Sequence, residues 1–492
     1  VKRLSVEFDK VIFTHVLIIG IPTIFFYCLR LGGWSLIGIH VAIATFYVFS
    51  SIMLIIEGTS ALFRRFAVDH PYKAVSGRFN RFYYALKARL GFAGARRPGP
   101  RHPVPRSTFI VAAYLPNEQD IILETLEHIL LNVDRPADGM EVILAYNTPV
   151  DLPIEDDLHR LAQLYPELIL HRVEGSCSKA ENINAVLHLV TGEVTCILDA
   201  DHHPAADCFV RAWRWLEQDY DVVQGRSVIR NHAQNLLTQN IAIEFEMMYG
   251  VAHVAKSLLT DSSIFGGSNG YWRTSVLKRI RFNPIMLTED IDASMRSLLN
   301  GYRILHDRSI ISTELAPVDF RSFWFQRKRW AQGWLEVSLK YQRRVWKSDN
   351  LNIWQKVFWT YLLYYCEFYS LVAIQIIPII LSLMLYHSTI PDSIKQYLWF
   401  STVISFLSGL YQTLITAKIS TIRYPILYYI QHIVLLIPYI TLKNMISIVA
   451  FYDHVRGNNN WLVTSRGKRW SKRAASGAML PVPKPSVLNS TK

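Results

Sequence analysis

Cysteine is scarce in this chain, and so is charge. The 492 residues hold five cysteines, Cys28, Cys177, Cys196, Cys208 and Cys366, odd in number and without a CxxC pair. That argues against a disulfide framework or a zinc site and suits reduced thiols in a cytosolic domain or a bilayer. Charged residues make up 18% of the sequence, below the roughly 25% of an ordinary soluble domain. Apolar residues reach 51%, enough for a large soluble core plus several membrane spans. Acid is missing locally: residues 64–106 carry eleven Lys/Arg against one acid, and 466–492 carry seven against none. No recognised nucleic-acid motif accompanies these blocks. They are therefore read as cytoplasmic anchors to anionic lipid, with no nucleic-acid partner expected.

What is present is a chain divided by long apolar runs. Residues 11–29 and 34–56 have transmembrane length, with only Arg30, Leu31, Gly32 and Gly33 between them. The first is too long for a signal-peptide core, so both are taken as retained spans. Beyond the basic connector, strand patterns at 107–113, 140–145, 168–173, 194–198, 221–225 and 302–306 alternate with helical ones, including 118–131, 179–190 and 207–217. Such alternation argues an α/β domain with a mostly parallel sheet and helices on both faces. Segments 238–260 and 319–345 are amphipathic, the second mixing Phe and Trp with Arg and Lys as an interfacial helix does. Apolar stretches follow at 356–386, 398–417 and 424–452. Keeping both basic blocks on one side requires an even number of crossings here, and Pro378 and Pro438 mark where a stretch can break in two. About six spans are expected.

The expected division is a transmembrane helix pair (1–63), a basic connector (64–106), an α/β domain (107–316), amphipathic interface helices (317–353), a second transmembrane region (354–453) and a basic tail (454–492).

Three motifs carry chemistry. Asp199 and Asp201 end the apolar run Val194–Leu198. Ligands of α/β sheets bind beyond the carboxyl ends of strands, and two carboxylates one residue apart suit Mg²⁺ or Mn²⁺ shared with a substrate phosphate. His202 or His203 adds a further contact, and His203 is the expected third metal ligand. Thr288, Glu289 and Asp290 open a helical pattern that stops at Gly301. Thr288 is a natural N-cap, and acids suit a first turn for purely structural reasons. The functional reading makes Asp290 a general base. A helix N-terminus lowers its pKa, so that role needs burial to offset it. Gln326, Arg327, Lys328, Arg329 and Trp330 sit on the second amphipathic segment. An Arg there can neutralise a leaving diphosphate and a Trp can stack on a sugar, although both also suit lipid headgroups.

Smaller pieces accumulate around these. Pro116, Asn117 and Glu118 follow the first strand, and Lys179 and Asn182 begin a helix; both places suit nucleotide or phosphate contact. Gly266–Gly270 is a small-residue loop open to close approach, without the Lys-Ser/Thr of a P-loop.

Read in order as DAD, TED and QRKRW, these motifs make the chain resemble the membrane-embedded, processive family-2 glycosyltransferases of the cellulose synthase superfamily, over roughly residues 107–467. DADHHP and QRKRWAQG are similar to bacterial cellulose synthases in particular. Trp461–Gly467 resembles their gating loop, where hyaluronan- and chitin-type synthases more often show Trp-Gly-Thr/Asn and a basic residue.

The resemblance implies a GT-A-type (Rossmann-like) cytosolic domain on a multi-pass plasma (inner) membrane protein. It implies inverting transfer of glucose from UDP-glucose to a growing β-glucan, 1,3- or 1,4-linked, with Mg²⁺ or Mn²⁺ as cofactor. A homo-oligomer or accessory subunits are compatible with it. Asp199 and Asp201 would hold the metal diphosphate. Asp290, with Glu289, would deprotonate the acceptor. Arg329 would meet the leaving group, and Thr464 and Arg466 would close over the nucleotide. Thr288, Gln326, Trp330, Ser268 and Asn269 would face the acceptor. The family usually places an Asp against uracil after the second strand; here Asn147 stands there, or Asp151 slides in. Only about 25 residues follow the gating-like motif, expected to be too few for the cyclic-diguanylate-binding domain of bacterial cellulose synthases. Alternatives are a chitin- or hyaluronan-like synthase using UDP-N-acetylglucosamine, or a non-processive lipid-linked glycosyltransferase. A transporter or scaffold without catalysis leaves the three motifs unexplained.

Overall fold

A computed structural model describes residues 33–64, 100, 102–374 and 391–457. The apolar run 11–29, nearly all of the basic connector, and the loop carrying Thr464 and Arg466 lie outside the described residues.

A long apolar helix, α1 (Gly33–Arg64), precedes the sheet. Parallel strands covered on both faces need near-continuous apolar runs. β1 (Ser107–Tyr114) supplies one, with every residue but Tyr114 buried. Helix α2 (Ile122–Asn132) leads to β2 (Met140–Asn147), α3 (Ile154–Leu164) to β3 (Leu168–Arg172), and α4 (Lys179–Val186) to β4 (Val194–Asp199). These four strands are parallel, in the order β3-β2-β1-β4. Their register pairs Tyr114 with Asn147 and Ala112 with Asp199, so the carboxyl ends of β1, β2 and β4 form one ledge.

The other half of the sheet keeps the expected mostly parallel order in its two long strands, which pair parallel to each other, and reverses two short ones. It contains β5 (His203–Pro204), β6 (Val222–Ile229), β7 (Gly270–Arg273) and β8 (Ile304–Glu314). Between them lie α5 (Cys208–Leu216), α6 (Leu236–Phe245), a π-helical turn at Glu246–Ala252, α7 (His253–Thr260), α8 (Thr274–Ile280) and α9 (Glu289–Leu299). The full order is β3-β2-β1-β4-β7-β6-β8-β5, with β7 antiparallel to both neighbours and β5 antiparallel to β8. The sheet is therefore mixed. The small-residue loop conceals β7: it begins at Gly270, where a Cβ would run into the Phe265 ring.

Two cores cover the faces. Phe109, Leu144 and Trp215 pack with α2 and α5 on one side; Ile110, Ile197, Trp272 and Tyr341 pack on the other. The second core takes in α10 (Phe320–Lys347), N-capped by Asp319 through the Ser322 N–H at 2.8 Å, and α11 (Ile353–Ile374). Then come α12 (Asp392–Ile419), α13 (Ile426–Val434) and α14 (Leu436–Val455).

Among the described residues, two helical segments are long and apolar enough to cross a membrane, His40–Phe63 and Asp392–Ile419. The pair α13–α14, bent by 63°, makes a third if it is one span, against about six expected. The bend falls at Leu435, leaving Pro438 in the first turn of α14, where its missing N–H breaks no helical bond. Small and hydroxylated residues lock α1 to α12: Thr59 meets Tyr411 at 2.8 Å, and Gly58 lies against the Tyr411 ring.

Candidate active site

A cavity of about 1410 Å³ opens on the ledge at the carboxyl ends of β1, β2 and β4. It runs past Asp290 and Trp330 and between helices α1, α12 and α14.

At its ledge end, Asn147 is fixed on both sides. Its amide donates to Ser176 O at 2.9 Å, and its carbonyl accepts from Asn182 Nδ2 at 2.7 Å. Asn117, Glu118, Lys179 and Asn182 also line this end. Pro116 does not; it lies in the one-turn helix Leu115–Glu118, where Glu118 accepts from the Tyr114 N–H at 2.8 Å. Asp151 pairs with Arg172 at 2.6 Å, is 88% exposed and lies away from the cavity wall, so Asn147 is the residue facing it.

Asp199 faces the cavity. Its carboxylate pairs with Lys179, and its N–H donates to Ser268 Oγ at 3.0 Å. Lys179 also donates to Gly267 O at 2.6 Å. Its burial would lower its pKa, but the carboxylates of Asp199, Glu289 and Asp290 hold it above the ordinary value. Asp201 is buried behind Asp199 and accepts from the Leu315 N–H at 3.0 Å.

The third potential ligand in this cluster is His202. One ligand atom from each of Asp199, Asp201 and His202 lies within 4.8 Å of the others. His203, the expected ligand, turns away. It starts β5, its ring stacks on His128 at 4.5 Å, and burial, Arg230 and the neighbouring histidines push it down to about 2. Two carboxylates beside one imidazole form a donor set that fits a small divalent cation. In this structure the imidazole is engaged elsewhere: Nδ1 with Ser312 Oγ at 3.1 Å and Nε2 with Glu314 at 2.8 Å. Burial alone would lower His202; Glu314, then Asp201 and Asp199, hold it up.

Asp290 enters from α9. Thr288 holds the N-cap position, but its hydroxyl caps nothing among the described residues. Its side chain is pressed against Gly333 of α10, where a Cβ would collide with it. Gly267, at φ +90°, makes room for Asp290: a Cβ there would lie 2.8 Å from Oδ2. Burial, then the Glu289 carboxylate, push Asp290 up to about 7, against the Ile291 N–H, Lys179 and Arg329. The helix terminus is thus outweighed by desolvation.

Gln326, Arg329 and Trp330 reach the cavity from α10. Arg329 donates to Leu287 O at 3.4 Å, just before the Thr288 segment. Arg327, between them in sequence, is buried instead: it pairs with Glu244 at 2.5 Å and lies 4.3 Å over the Trp330 ring. Ser268 lines the cavity, whereas Asn269 turns into the sheet, donating to Arg226 O at 3.1 Å and Ile310 O at 3.2 Å.

The sequence reading missed several cavity residues. Glu314 ends β8; Tyr249 lies on the π-helical turn with its hydroxyl over Gly266; Glu244 binds Lys443 at 2.6 Å and Tyr439 at 2.7 Å. Glu314 obeys the rule that pointed to Asp199, a carboxylate at a strand's carboxyl end.

Residues 194–448 match the model of Glycosyl transferase family group 2, and the chain belongs to that family. A GT-A-like α/β fold follows from that membership and the topology described above. Among similar proteins, the probable glycosyltransferase YdaM of Bacillus subtilis (strain 168) is 24% identical over 274 residues, 55% of this chain and 64% of that protein. Glucomannan 4-beta-mannosyltransferase 1 of Oryza sativa subsp. japonica is 25% identical over 168 residues, 34% of this chain and 32% of its own length. The UDP-forming cellulose synthase 1 catalytic subunit of Komagataeibacter xylinus is 23% identical over 214 residues, 42% and 28% respectively. The chain thus spans 64% of the first relative and about a third or less of the other two. Among solved structures, the mannosyltransferase PcManGT from Pyrobaculum calidifontis, in complex with GDP-Man and Mn²⁺, is 20% identical with a TM-score of 0.49, over 83% of this chain and 99% of that one.

Proposed function

We propose that this chain is a processive, inverting hexosyltransferase of a cell membrane. It moves glucose from UDP-glucose to the end of a growing β-glucan and passes the product through the cavity between the helices. The observation that carries this reading is the continuity of the cavity, from Asn117 and Asn147 past Asp290 and Trp330 to Gln412, Lys443 and Ser447. A transferase that releases its product after one step has no need of a passage bordered by α1, α12 and α14 that mixes apolar side chains with Gln412, Lys443 and Ser447. The α/β domain and the basic blocks lie on the cytosolic side in this reading.

Asn117, Asn147 and Lys179 hold the nucleotide end. Asp199 and Asp201 are the residues that would hold Mg²⁺ or Mn²⁺, which, when bound, offsets negative charge on the leaving diphosphate. Asp290 accepts the proton of the acceptor hydroxyl as that oxygen forms its bond to the anomeric carbon. The anomeric carbon–phosphate oxygen bond breaks on the opposite face, and the diphosphate departs toward Lys179 and Arg329. A base with a pKa near 7 combines a useful deprotonated fraction with adequate basicity. Trp330 offers a flat apolar face for the terminal sugar.

Similarity to glucomannan 4-beta-mannosyltransferases supports a second reading, a mannosyl donor, and Asn147 in place of the family's usual uracil-facing Asp leaves the base open. The test is radiolabel incorporation by purified protein in nanodiscs. UDP-glucose, UDP-N-acetylglucosamine and GDP-mannose are supplied separately with Mg²⁺ or Mn²⁺, and the product is digested with linkage-specific glycosidases. Long polymer from UDP-glucose alone is expected. Polymer from one of the other donors reassigns the sugar, and a single added residue removes processivity.

A further inference from the structure

Glu314 has no role in the chemistry described so far, yet it is built into the same cavity. It is the last residue of β8, at the same edge of the sheet as Asp199. Its carboxylate is 17% exposed and lines the cavity. One oxygen, Oε2, lies at ion-pair distance, 2.8 Å, from His202 Nε2, and that fully buried ring is fixed from its other side by Ser312 at 3.1 Å. The main chain is fixed as well: Arg230 N–H donates to Glu314 O at 2.8 Å, and the next residue, Leu315, donates to Asp201 at 3.0 Å. No donor among the described residues pairs with Oε1.

A carboxylate is an acceptor only. One that is oriented by a buried imidazole and keeps an oxygen toward a polar cavity calls for a donor from the ligand. The same cavity is lined by the cation Lys179 and the acid Asp290, which already have tasks, and by Tyr249, whose hydroxyl lies close to Gly266. Sugar hydroxyls are the donors that a nucleotide sugar brings to this place.

We propose that Glu314 is a specificity-determining residue that accepts a hydrogen bond from a ring hydroxyl of the transferred hexose, with His202 as the residue that positions it. The proposal rests on the hexosyl-transfer reading. It deepens that reading by naming the group that inspects the sugar rather than the nucleotide or the metal.

Charge-assisted hydrogen bonds of this kind correspond to roughly 10- to 100-fold in rate, and a site built around a substrate hydroxyl discriminates against analogues lacking it. The experiment uses full-length protein in nanodiscs and whichever donor the wild type accepts, with UDP-glucose as the first probe. Glu314→Gln and Glu314→Asp are compared with wild type on the parent donor and on its 2-, 3- and 4-deoxy analogues. UDP affinity and Mn²⁺ affinity are measured alongside, the latter by electron paramagnetic resonance. Wild type should reject one deoxy analogue roughly 10- to 100-fold. Glu314→Gln should lose the parent rate by a similar factor and treat that analogue like the parent, while UDP and Mn²⁺ affinities stay within about twofold. Glu314→Asp should recover part of the discrimination.

Retained discrimination in Glu314→Gln overturns the proposal. A tenfold fall in Mn²⁺ affinity also overturns it, since Glu314 would then be a metal ligand. Loss of UDP binding in Glu314→Gln but not in Glu314→Asp overturns it in favour of a nucleotide or structural role. If wild-type protein transfers no hexose from any donor, the hexosyl-transfer reading falls and takes this one with it; failure confined to the variants leaves that reading intact.

Discussion

The two ends of the parallel half-sheet each hold a carboxylate, buried at one end and half-buried at the other, and they treat it in opposite ways. At the amino end, Glu141 of β2 accepts from Thr108 Oγ1 at 2.5 Å, from Thr191 N–H and Oγ1 at 2.8 Å each, and from Gly192 N–H at 3.4 Å. Desolvation pushes it up, but these donors together hold it below its ordinary value. At the carboxyl end, Asp290 accepts from the N–H of Ile291 and has Glu289 beside it, and it rises to about 7. The fold meets the demands of one acid completely and leaves the other wanting a proton. An acid with a full set of donors is held ionised as a structural part; one left short keeps its proton to higher pH and, in the proposed reading, is the base.

That contrast can be broken most severely at Asp290. Asp290→Asn is expected to lower polymer formation by about 10²- to 10⁴-fold without lowering the melting temperature, since the neutral amide removes a carboxylate whose ionisation costs stability. A parallel loss of melting temperature would move Asp290 to the structural class. The pH profile comes next. Below about 7, transfer should fall about tenfold per pH unit as Asp290 takes up its proton. A rate flat from pH 5 to 8 (roughly) would remove it as the base. Glu141→Gln reverses the pattern. It sets an amide NH₂ against the Thr191 and Gly192 N–H groups and should cost about 1–3 kcal/mol of stability with KM unchanged, read from denaturant melts. Thr108→Val, which removes one of several donors, should cost about 1 kcal/mol.

The stability profiles carry opposite signs. Glu141, held down, contributes stability that is present above its ordinary 4.5 and is lost as pH falls through its lowered value. Asp290, held up, makes stability decline as pH rises from its ordinary 3.8 to about 7. Melting wild type, Asp290→Asn and Glu141→Gln across pH 3.5–8 (about) separates the two, because each variant should erase only its own slope.

How much of this was legible depends on what kept each strand visible. β4 is a short apolar run bounded by polar residues, so Asp199 stood out at its end. β8 runs on from His306 through Asp307 and Arg308, and the strand pattern stopped at His306. Those groups are buried because they find distant partners: Asp307 accepts from Trp215 Nε1 at 2.7 Å, and His306 Nε2 meets Tyr249 O at 2.7 Å. A linear pattern does not disclose such partners, so Glu314 went unseen. Tyr249 went unseen for a related reason, since a π-helical turn has no single-residue signature. His203 looked as suitable as its neighbour because period and composition do not say which of two adjacent rings faces the aspartates. Motif order, rather than periodicity, linked residues as distant as Asp199, Asp290 and Trp330, and the cavity now gives that order a location.

Gly333 has a mechanical consequence. With no side chain there, α10 presses directly on Thr288, and Arg329, four residues earlier on the same helix, holds Leu287 O. The segment that carries Asp290 is therefore clamped to the helix that carries Trp330. A tilt of α10 carries both along and preserves the gap between them, so the distance from the Asp290 segment to the Trp330 indole acts as a gauge block, fixed by contact between two packed parts.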